Sequence, residues 1–286
     1  MPELPEVEAL AVFLKERCEG QTIERFEIAA FSALKTFDPP PEALVGKVVA
    51  DVRRIGKYLA FDAGGIWVVL HLARGGWVQW RDNVPPARAR PGKGPLALRV
   101  GLSSGAGFDV TEQGTEKRLA IWIVGDPAEV DGVARLGPDA LDPAFTPEVL
   151  ASALRSSGGH LKNALTDQSV IAGVGNAYSD EALHAARLSP YRSAAKLTDD
   201  EIERLHAALV RVLSEAVARS AGLAASGLKA EKKSGLAVHG RAGQPCPDCG
   251  DTIREVSFSS KSFQYCPTCQ TGGKPLADRR LSRLLK

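Results

Sequence analysis

Met1-Pro-Glu-Leu-Pro-Glu-Val-Glu8 opens the chain and leads into a helix that we predict over residues 5–19. Apolar residues recur at three- and four-residue steps, at Val7, Leu10, Ala11 and Leu14. Pro5 suits the first turn, where a backbone N–H is not needed, and Gly20 ends the pattern. Such a helix holds the start of the chain at one fixed place on its domain.

The start of the chain also carries chemistry. If Met1 is removed, the chain begins with the secondary amine of Pro2 beside the carboxylate of Glu3. A terminal amine has a pKa of about 7.7–8, so part of it is neutral near pH 7. It can then condense with an aldehyde-level carbon to give an iminium ion. Many chains begin Met-Pro without using it, so this hypothesis needs support from other residues.

Length and composition favour two domains with a small third module. The chain has 286 residues, of which 44% are hydrophobic, and a formal net charge of +2 that permits a nucleic-acid partner. No apolar run approaches the roughly 18–20 residues that span a bilayer, and the acidic start lacks a signal region. We therefore expect a cytoplasmic protein without a membrane partner. Nothing in the sequence indicates an oligomer, so we expect a monomer.

Residues 21–125 have the pattern of antiparallel β-structure. Short alternating runs, separated by Gly, Pro and Asp, occur at 48–52, 58–61, 67–72, 77–80 and 119–124. Because no helical pattern interrupts them, a sandwich or barrel is predicted. Residues 81–95 are basic and rich in proline. We predict a solvated loop there, with contact to a polyanion as the alternative.

The second half of the chain is predicted to be helical. Prolines between residues 126 and 147 mark a boundary, and helices are predicted at 147–155, 161–165 and 198–220. A further helix that ends at Ala186 is predicted to follow the Gly-rich turn at 172–178. Thr198 and Glu201 form a capping box for the longest helix. Residues 221–243 lose the periodicity, contain three lysines, and are predicted to be a mobile basic linker.

Four cysteines predict a metal site near the C-terminus. Cys246-Pro-Asp-Cys249 and Cys266-Pro-Thr-Cys269 are separated by sixteen residues, the spacing of two knuckles that supply four thiolates to one tetrahedral Zn²⁺. All four ligand positions are filled, so the zinc is structural, and it folds a segment too small for its own core. The fifth cysteine, Cys18, is predicted to be an ordinary packed or surface residue of the first helix.

The predicted fold class is therefore α+β. The N-terminal helix and an antiparallel β-sandwich form a domain at 1–130, followed by a helical domain at 131–243. The zinc-ribbon hairpin occupies 244–271, and a basic tail completes the chain at 272–286.

Two further motifs can bind anions. Gly173-Val-Gly-Asn176 precedes a predicted helix, so its backbone amides and the Asn176 side chain are suited to a phosphate. Lys57 follows Gly56 at the start of an apolar strand. A lone lysine at that position is usually only a solvated strand end.

Taken together, these motifs resemble the formamidopyrimidine-DNA glycosylase and endonuclease VIII family over residues 1–270. The resemblance rests on the N-terminal motif, Gly56-Lys57-Tyr58, His71-Leu72, Asp167-Gln168, Gly173–Glu181 and the four-cysteine finger, in that order. It implies a β-sandwich joined by a hinge to a helix–two-turn–helix domain, with damaged double-stranded DNA bound between them. It also implies a bifunctional glycosylase and abasic-site lyase of base excision repair, acting at the bacterial nucleoid.

The resemblance implies a role for each catalytic residue. Pro2 attacks C1′ of a flipped nucleotide, and Glu3 transfers protons at the sugar and the leaving group. The strand is then nicked by β,δ-elimination. Lys57 is a second proton donor or a phosphate-facing cation. Lys261 stands where the family has the finger arginine, and a lysine gives a weaker or less oriented phosphate contact.

The resemblance also implies the DNA contacts. Asn176 holds a phosphate beside the lesion, with Lys162 as a helper. The positions that correspond to the family's gap-filling Met-Arg-Phe set are Arg74, Lys117 and Leu119, and Arg118 is a further expected DNA contact. Arg74 in place of methionine predicts a different opposite-base preference.

The part of the linker at 223–240 is shorter than the loop that covers 8-oxoguanine in formamidopyrimidine-type enzymes, which predicts weak excision of that base. Oxidised pyrimidines, ring-opened purines, hydantoins and abasic sites are the expected substrates. A non-catalytic protein that recognises damaged or unusually structured DNA is the alternative, and retention of Met1 would favour it. A third hypothesis, a zinc-ribbon transcription or translation factor, explains the cysteines but gives the N-terminal motif no role, so it is disfavoured.

Overall fold

The computed structural model describes residues 1–92, 94–258 and 261–277. The chain forms two compact units, Met1–Arg135 with Ser220–Lys229, and Leu136–Arg219 with Ala230–Lys286. Residues 278–286 of the predicted basic tail lie outside the described residues. Among the described helices, none combines the length and the hydropathy that crossing a lipid bilayer requires.

The first unit is a β-sandwich with one long helix, as predicted. Its helices are α1 (Leu4–Cys18) and α2 (Asp131–Ala134), and its strands are β1 (Ile23–Ile28), β2 (Asp51–Ile55), β3 (Tyr58–Ala63), β4 (Ile66–His71), β5 (Gly76–Arg81), β6 (Leu96–Leu102), β7 (Gly107–Glu112) and β8 (Ala120–Val124). The strands form two antiparallel sheets in the orders β1-β6-β7-β5 and β2-β3-β4-β8.

Strand β2 begins three residues later than the sequence predicts, at Asp51 rather than residue 48. The reason is that Val49 exchanges backbone hydrogen bonds of 2.9 Å with Gly20 and Gln21 before the chain joins β3.

Helix α1 packs on the sandwich with its apolar side. Leu10 and Leu14 are fully buried in one core with residues of both sheets, and Cys18 is buried there too, which selects the packed alternative for this residue. Burial raises the pKa of the Cys18 thiol to about 12, so this cysteine is unreactive in the folded protein.

Two ion pairs fix the direction of α1 along β2. Arg54 Nε lies 2.6 Å from Glu8 Oε2, and Lys15 Nζ lies 2.6 Å from Asp51 Oδ1. The helix therefore runs antiparallel to β2, and its N-terminus lies near the turn between β2 and β3.

Three connections between strands also lie at that end of the sandwich. The pairs Tyr58↔His71, Gly76↔Glu112 and His71↔Ala120 place the β2–β3 turn, the β4–β5 loop and the β7–β8 loop beside one another. We call this the site end of the sandwich.

The second unit is helical and carries the hairpin. Its helices are α3 (Pro147–Arg155), α4 (Leu161–Thr166), α5 (Asn176–Ala185), α6 (Asp199–Ser220) and α8 (Pro267–Thr271), and its strands are β9 (Arg254–Phe258) and β10 (Lys261–Tyr265). The predicted capping box of α6 is confirmed, because Thr198 Oγ1 accepts from Glu201 N at 3.2 Å and Glu201 Oε2 accepts from Thr198 N at 2.9 Å.

The predicted linker contains a helix. The expectation that residues 221–243 lack regular structure is wrong for α7 (Leu228–Ser234). Leu228 is buried in the core of the first unit, and Trp77 Nε1 donates to Ala225 O at 2.8 Å. These contacts place residues 220–229 with the sandwich, although the sequence alone assigns them to the helical domain.

Candidate functional site

The start of α1 fixes the first residues of the chain. Glu3 is the N-cap, its amide donates to Glu6 Oε2 at 2.8 Å, and its carboxylate accepts the Glu6 amide in a reciprocal capping box. Glu3 is 3% exposed and Pro2 is buried, whereas Met1 is half-exposed. A carboxylate is thus held one residue from Pro2, at the site end of the sandwich.

Lys57 lies in the tight β2–β3 turn at the same end. Gly56 precedes it with a φ of 57°, a backbone conformation that favours glycine, and Lys57 itself is 6% exposed. The ring of His71 packs against Tyr58 with 4.9 Å between centroids. Burial, reinforced by the positive charge of Lys57, lowers the pKa of His71 to about 4. At neutral pH the site end therefore presents an uncharged imidazole beside Lys57.

The β4–β5 and β7–β8 loops form one rigid projection, which we call the tip (residues 72–75 and 113–119). Gln113 N donates to Gly75 O at 3.0 Å, and a Cβ on Gly75 would lie 2.2 Å from Gln113 O. The buried Glu112 carboxylate accepts the amides of Arg118 at 2.8 Å and Leu119 at 3.0 Å. The tip therefore has little freedom to change shape.

The residues predicted to fill the gap in DNA, and Arg118 beside them, all lie on the tip, but their side chains differ in exposure and in contacts. Arg74 is exposed, and Arg118 is exposed beside Glu116 at 3.1 Å. Lys117 Nζ donates to the backbone oxygen of Glu112. Leu119 is 2% exposed and packs in the sandwich core, so the packing gives no support to a DNA contact by this side chain.

Asn176 and Lys162 are neighbours in the second unit. Asn176 begins α5, and its Nδ2 donates to Ser262 O at 2.7 Å. Lys162 is 5% exposed, and its ammonium donates to Asn176 O at 2.7 Å, Ser179 Oγ at 2.7 Å and Asp180 Oδ1 at 2.5 Å. This geometry favours a positioning role for Lys162, behind the first turn of α5.

Two buried acids of α5, Asp180 and Glu181, form hydrogen bonds with neighbouring segments of the chain. Asp180 also accepts from Gln264 N at 3.1 Å and lies 2.7 Å from His239 Nδ1. The Glu181 carboxylate accepts three consecutive amides, of residues 237–239, at 2.6–3.0 Å. Sequence analysis missed both roles. The available signal was two adjacent acids followed directly by Ala-Leu within a short helix.

The four cysteines form a structural zinc site. Their sulfurs lie within 4.8 Å of one another, with Cys246–Cys269 at 3.9 Å and Cys249–Cys266 at 3.4 Å. A tetrahedron with Zn–S bonds of about 2.3 Å has edges of about 3.8 Å, so the site fits Zn²⁺. His184 of α5 adds an outer contact, with Nε2 at 3.2 Å from Cys246 Sγ.

The zinc site supports the β9–β10 hairpin, whose second strand starts at Lys261. The backbone of Lys261 pairs with Phe258. Its side chain lies outside the described part of the structure, so its predicted phosphate contact stays a prediction.

Comparison with known proteins shows similarity along most of the chain. Three family models match: the formamidopyrimidine-DNA glycosylase N-terminal domain over residues 1–111, the formamidopyrimidine-DNA glycosylase H2TH domain over 136–226, and the zinc finger found in FPG and IleRS over 243–272. The formamidopyrimidine-DNA glycosylase of Symbiobacterium thermophilum is 38% identical over 98% of this chain and 93% of its own length.

A further relative and two solved structures are also similar to this chain. An uncharacterised formamidopyrimidine-DNA glycosylase-like protein of Mycobacterium tuberculosis is 62% identical over 53% of this chain and 94% of its own length. The crystal structure of MutM (Fpg) from Thermus thermophilus superposes with a TM-score of 0.80 at 32% identity, covering 96% of this chain and 100% of that one. The Lactococcus lactis enzyme bound to DNA with an abasic site has a TM-score of 0.80 at 25% identity, with 94% and 99% covered.

Proposed function

The chain belongs to the formamidopyrimidine-DNA glycosylase family, and from that premise we propose that it is a bifunctional DNA glycosylase and abasic-site lyase. The observation that carries the proposal is the buried Glu3 carboxylate, locked by the capping box one residue from Pro2. A helix N-cap needs no glutamate at this position, since Ser, Thr, Asp and Asn are the usual capping residues. The partner is damaged double-stranded DNA, bound by a monomer at the bacterial nucleoid.

The first step uses Pro2 after Met1 has been removed. The secondary amine attacks C1′ of the flipped nucleotide, the N-glycosidic bond breaks, and the base leaves with the bonding electrons and a proton. Glu3 delivers a proton to the ring oxygen as the sugar opens, and the amine loses its own proton to give the iminium ion.

The second step cleaves the strand. The iminium ion makes the C2′ hydrogens acidic, so loss of one of them expels the 3′ phosphate and a second elimination expels the 5′ phosphate. Water then hydrolyses the iminium and frees Pro2. The Lys57 ammonium stabilises a phosphate at the site end, and the neutral His71 beside it adds no competing charge.

Substrate choice follows from the tip and the zinc hairpin. Arg74 and Arg118 give the tip two guanidinium groups that can stack on exposed bases. Asn176 holds a phosphate, Lys162 fixes the turn from which Asn176 projects, and Lys261 supplies a further cation from the hairpin. We expect poor excision of 8-oxoguanine, and efficient action on oxidised pyrimidines, ring-opened purines, hydantoins or abasic sites. Zinc holds the hairpin and takes no part in the chemistry.

Borohydride trapping tests the proposal. Wild-type protein should form a covalent adduct with DNA containing an abasic site, and peptide mass spectrometry should locate it on Pro2 with Met1 absent. Pro2→Gly and Glu3→Gln should each slow adduct formation by about 10²–10⁴-fold while leaving DNA binding nearly unchanged. Tight, lesion-selective binding with no adduct on any lesion would instead select the non-catalytic alternative.

A further inference from the structure

The loop between β5 and β6 is an unusual surface on the first unit. Residues 82–92, 94 and 95, which we call the basic loop, contain Arg88 and Arg90 against a single acid, Asp82. Arg88 and Arg90 are exposed. Within the described residues neither guanidinium has a hydrogen bond or an ion pair, whereas Arg17 and Arg118 are each paired with a carboxylate.

The basic loop is nevertheless held in place by strand β1 and the residue after it. Four hydrogen bonds tie it down: Arg25 Nη1 to Pro85 O at 2.7 Å, Arg25 Nη2 to Ala87 O at 3.1 Å, Ala89 N to Glu27 Oε2 at 2.9 Å, and Gly92 N to Ala29 O at 3.3 Å. Arg25 and Glu27 also pair with each other at 2.9 Å. Because the backbone is already ordered, a ligand of Arg88 and Arg90 has to immobilise only their side chains.

The same hydrogen bonds also define the path of the basic loop along the edge of the sheet. The contacts at Arg25, Glu27 and Ala29 advance along β1 by about 6.6 Å at each step. Ala29 lies at the site end, since its amide donates to Ala97 O at 2.9 Å and Leu96 pairs with Thr111. The loop then ends where Glu112 N donates to Pro95 O at 2.7 Å, next to the tip. Arg90 is therefore close to the site end, and Arg88 is further down the same edge.

The width of the sheet sets the distance between the tip and the β1 edge, along which Arg88 and Arg90 lie. In the order β1-β6-β7-β5, three strand spacings of about 4.8 Å separate β1 from β5, which is about 14 Å. Duplex DNA advances about 3.4 Å along its axis per phosphate of one strand, so this distance corresponds to about four base pairs. A duplex touched by the tip can reach the basic loop with its flanking backbone.

We infer that the basic loop is a second phosphate-binding surface, which grips the duplex about four base pairs from the lesion. Guanidinium groups suit phosphate oxygens because they donate two parallel hydrogen bonds. Such contacts read no sequence, so they add affinity and hold the register of the enzyme on the duplex. The inference rests on the proposed action on DNA, and it adds a contact surface outside the catalytic residues.

The test is the salt dependence of binding by the double variant Arg88→Ala/Arg90→Ala. Loss of two phosphate contacts should lower the slope of log K against log salt by about 1.8. Wild type should also bind a duplex extending twelve base pairs beyond the lesion more tightly than one ending three base pairs beyond it, and the variant should lose most of that gain. Arg88→Lys/Arg90→Lys should restore the slope, because the charges remain.

The matched control removes two cations from the opposite end of the unit. Lys15→Ala/Arg17→Ala changes the net charge equally at the C-terminal end of α1, and it should leave both the slope and the length dependence unchanged. An unchanged slope in the basic-loop variant, or an equal loss in both double variants, would overturn the inference. Borohydride trapping at saturating protein is measured in parallel. The absence of an adduct with wild type would contradict the catalytic proposal alone, so its failure is seen separately from the salt slopes.

Discussion

At the scale of single residues, His71 shows how burial sets a charge. Its pKa is lowered to about 4 by burial and by Lys57, whereas an imidazole in the unfolded chain has a pKa near 6.5. Between these values the unfolded chain binds a proton that the folded chain does not bind. Folding stability from this residue is therefore complete above pH 6.5 and is lost as the pH falls towards 4.

The prediction for His71 compares wild type with His71→Gln, which cannot titrate. Between pH 7.5 and pH 4.5 the free energy of unfolding of wild type should fall by about 2–3 kcal/mol more than that of the variant. Urea unfolding at a series of pH values, followed by tryptophan fluorescence, measures both curves. Identical pH dependence in the two proteins would show that the imidazole titrates normally in the folded state.

Lys162 and Asp180 form a buried ion pair, with side chains 7% and 0% exposed. Removing the lysine leaves a buried carboxylate without its cation, so Lys162→Met should destabilise the protein by about 3–5 kcal/mol. Adding Asp180→Asn removes that charge and should recover part of the loss. Thermal unfolding followed by circular dichroism measures both. If Lys162→Met had normal stability but weaker DNA binding, the lysine would contact a phosphate directly rather than position α5.

The difference between Asn176 and Lys162 shows what a sequence can predict at this scale. The four cysteines are recognisable because their spacing carries the chemistry, and Asn176 is predicted to bind a phosphate from its local Gly-rich motif alone. Lys162 has its acidic partner eighteen residues away on another helix, and no local pattern reveals that contact. The inward position of Leu119 is similar, because it depends on the hydrogen bonds that Glu112 makes to the loop backbone.

At the scale of elements, segments with a periodic apolar pattern were predictable and helix α7 was not. The predicted α1 and α6 agree with the structure to within about two residues, because each has a long apolar stripe. Helix α7 has seven residues, of which only Leu228 is buried. A helix this short is unstable alone, so it forms because of tertiary contacts that the sequence does not display.

The tip gives an element-scale prediction. A methyl group on Gly75 would lie 2.2 Å from Gln113 O, so Gly75→Ala must push the two loops apart. We expect a loss of about 2–3 kcal/mol in unfolding free energy and weaker lesion binding. Gly92→Ala is the control, because its Cβ meets no atom within 4 Å, and it should change stability by less than about 0.5 kcal/mol. Equal effects of the two substitutions would show that the loops move independently.

At the scale of the whole molecule, the order of the modules was predictable, but the path of the chain was not. The sandwich, the helical part and the zinc hairpin follow one another in the predicted order. Residues 220–229 then return to the core of the first unit, after 84 residues of the second. This return depends on Leu228 and on the hydrogen bond from Trp77. Scattered alanines and leucines without helical or strand periodicity give no indication of it.

Zinc should stabilise one compact unit and leave the other unchanged. The metal binds only the fold that gathers the four thiolates, so a chelator should lower the melting temperature of the second unit by roughly 10 °C or more. All four tryptophans, Trp67, Trp77, Trp80 and Trp122, lie in the first unit, so their fluorescence follows that unit alone. We expect calorimetry to show one shifted transition and the fluorescence melting curve to stay within about 2 °C. Cys246→Ser/Cys249→Ser should behave like chelated wild type. Equal shifts of both signals would mean that the two units unfold as a single cooperative block.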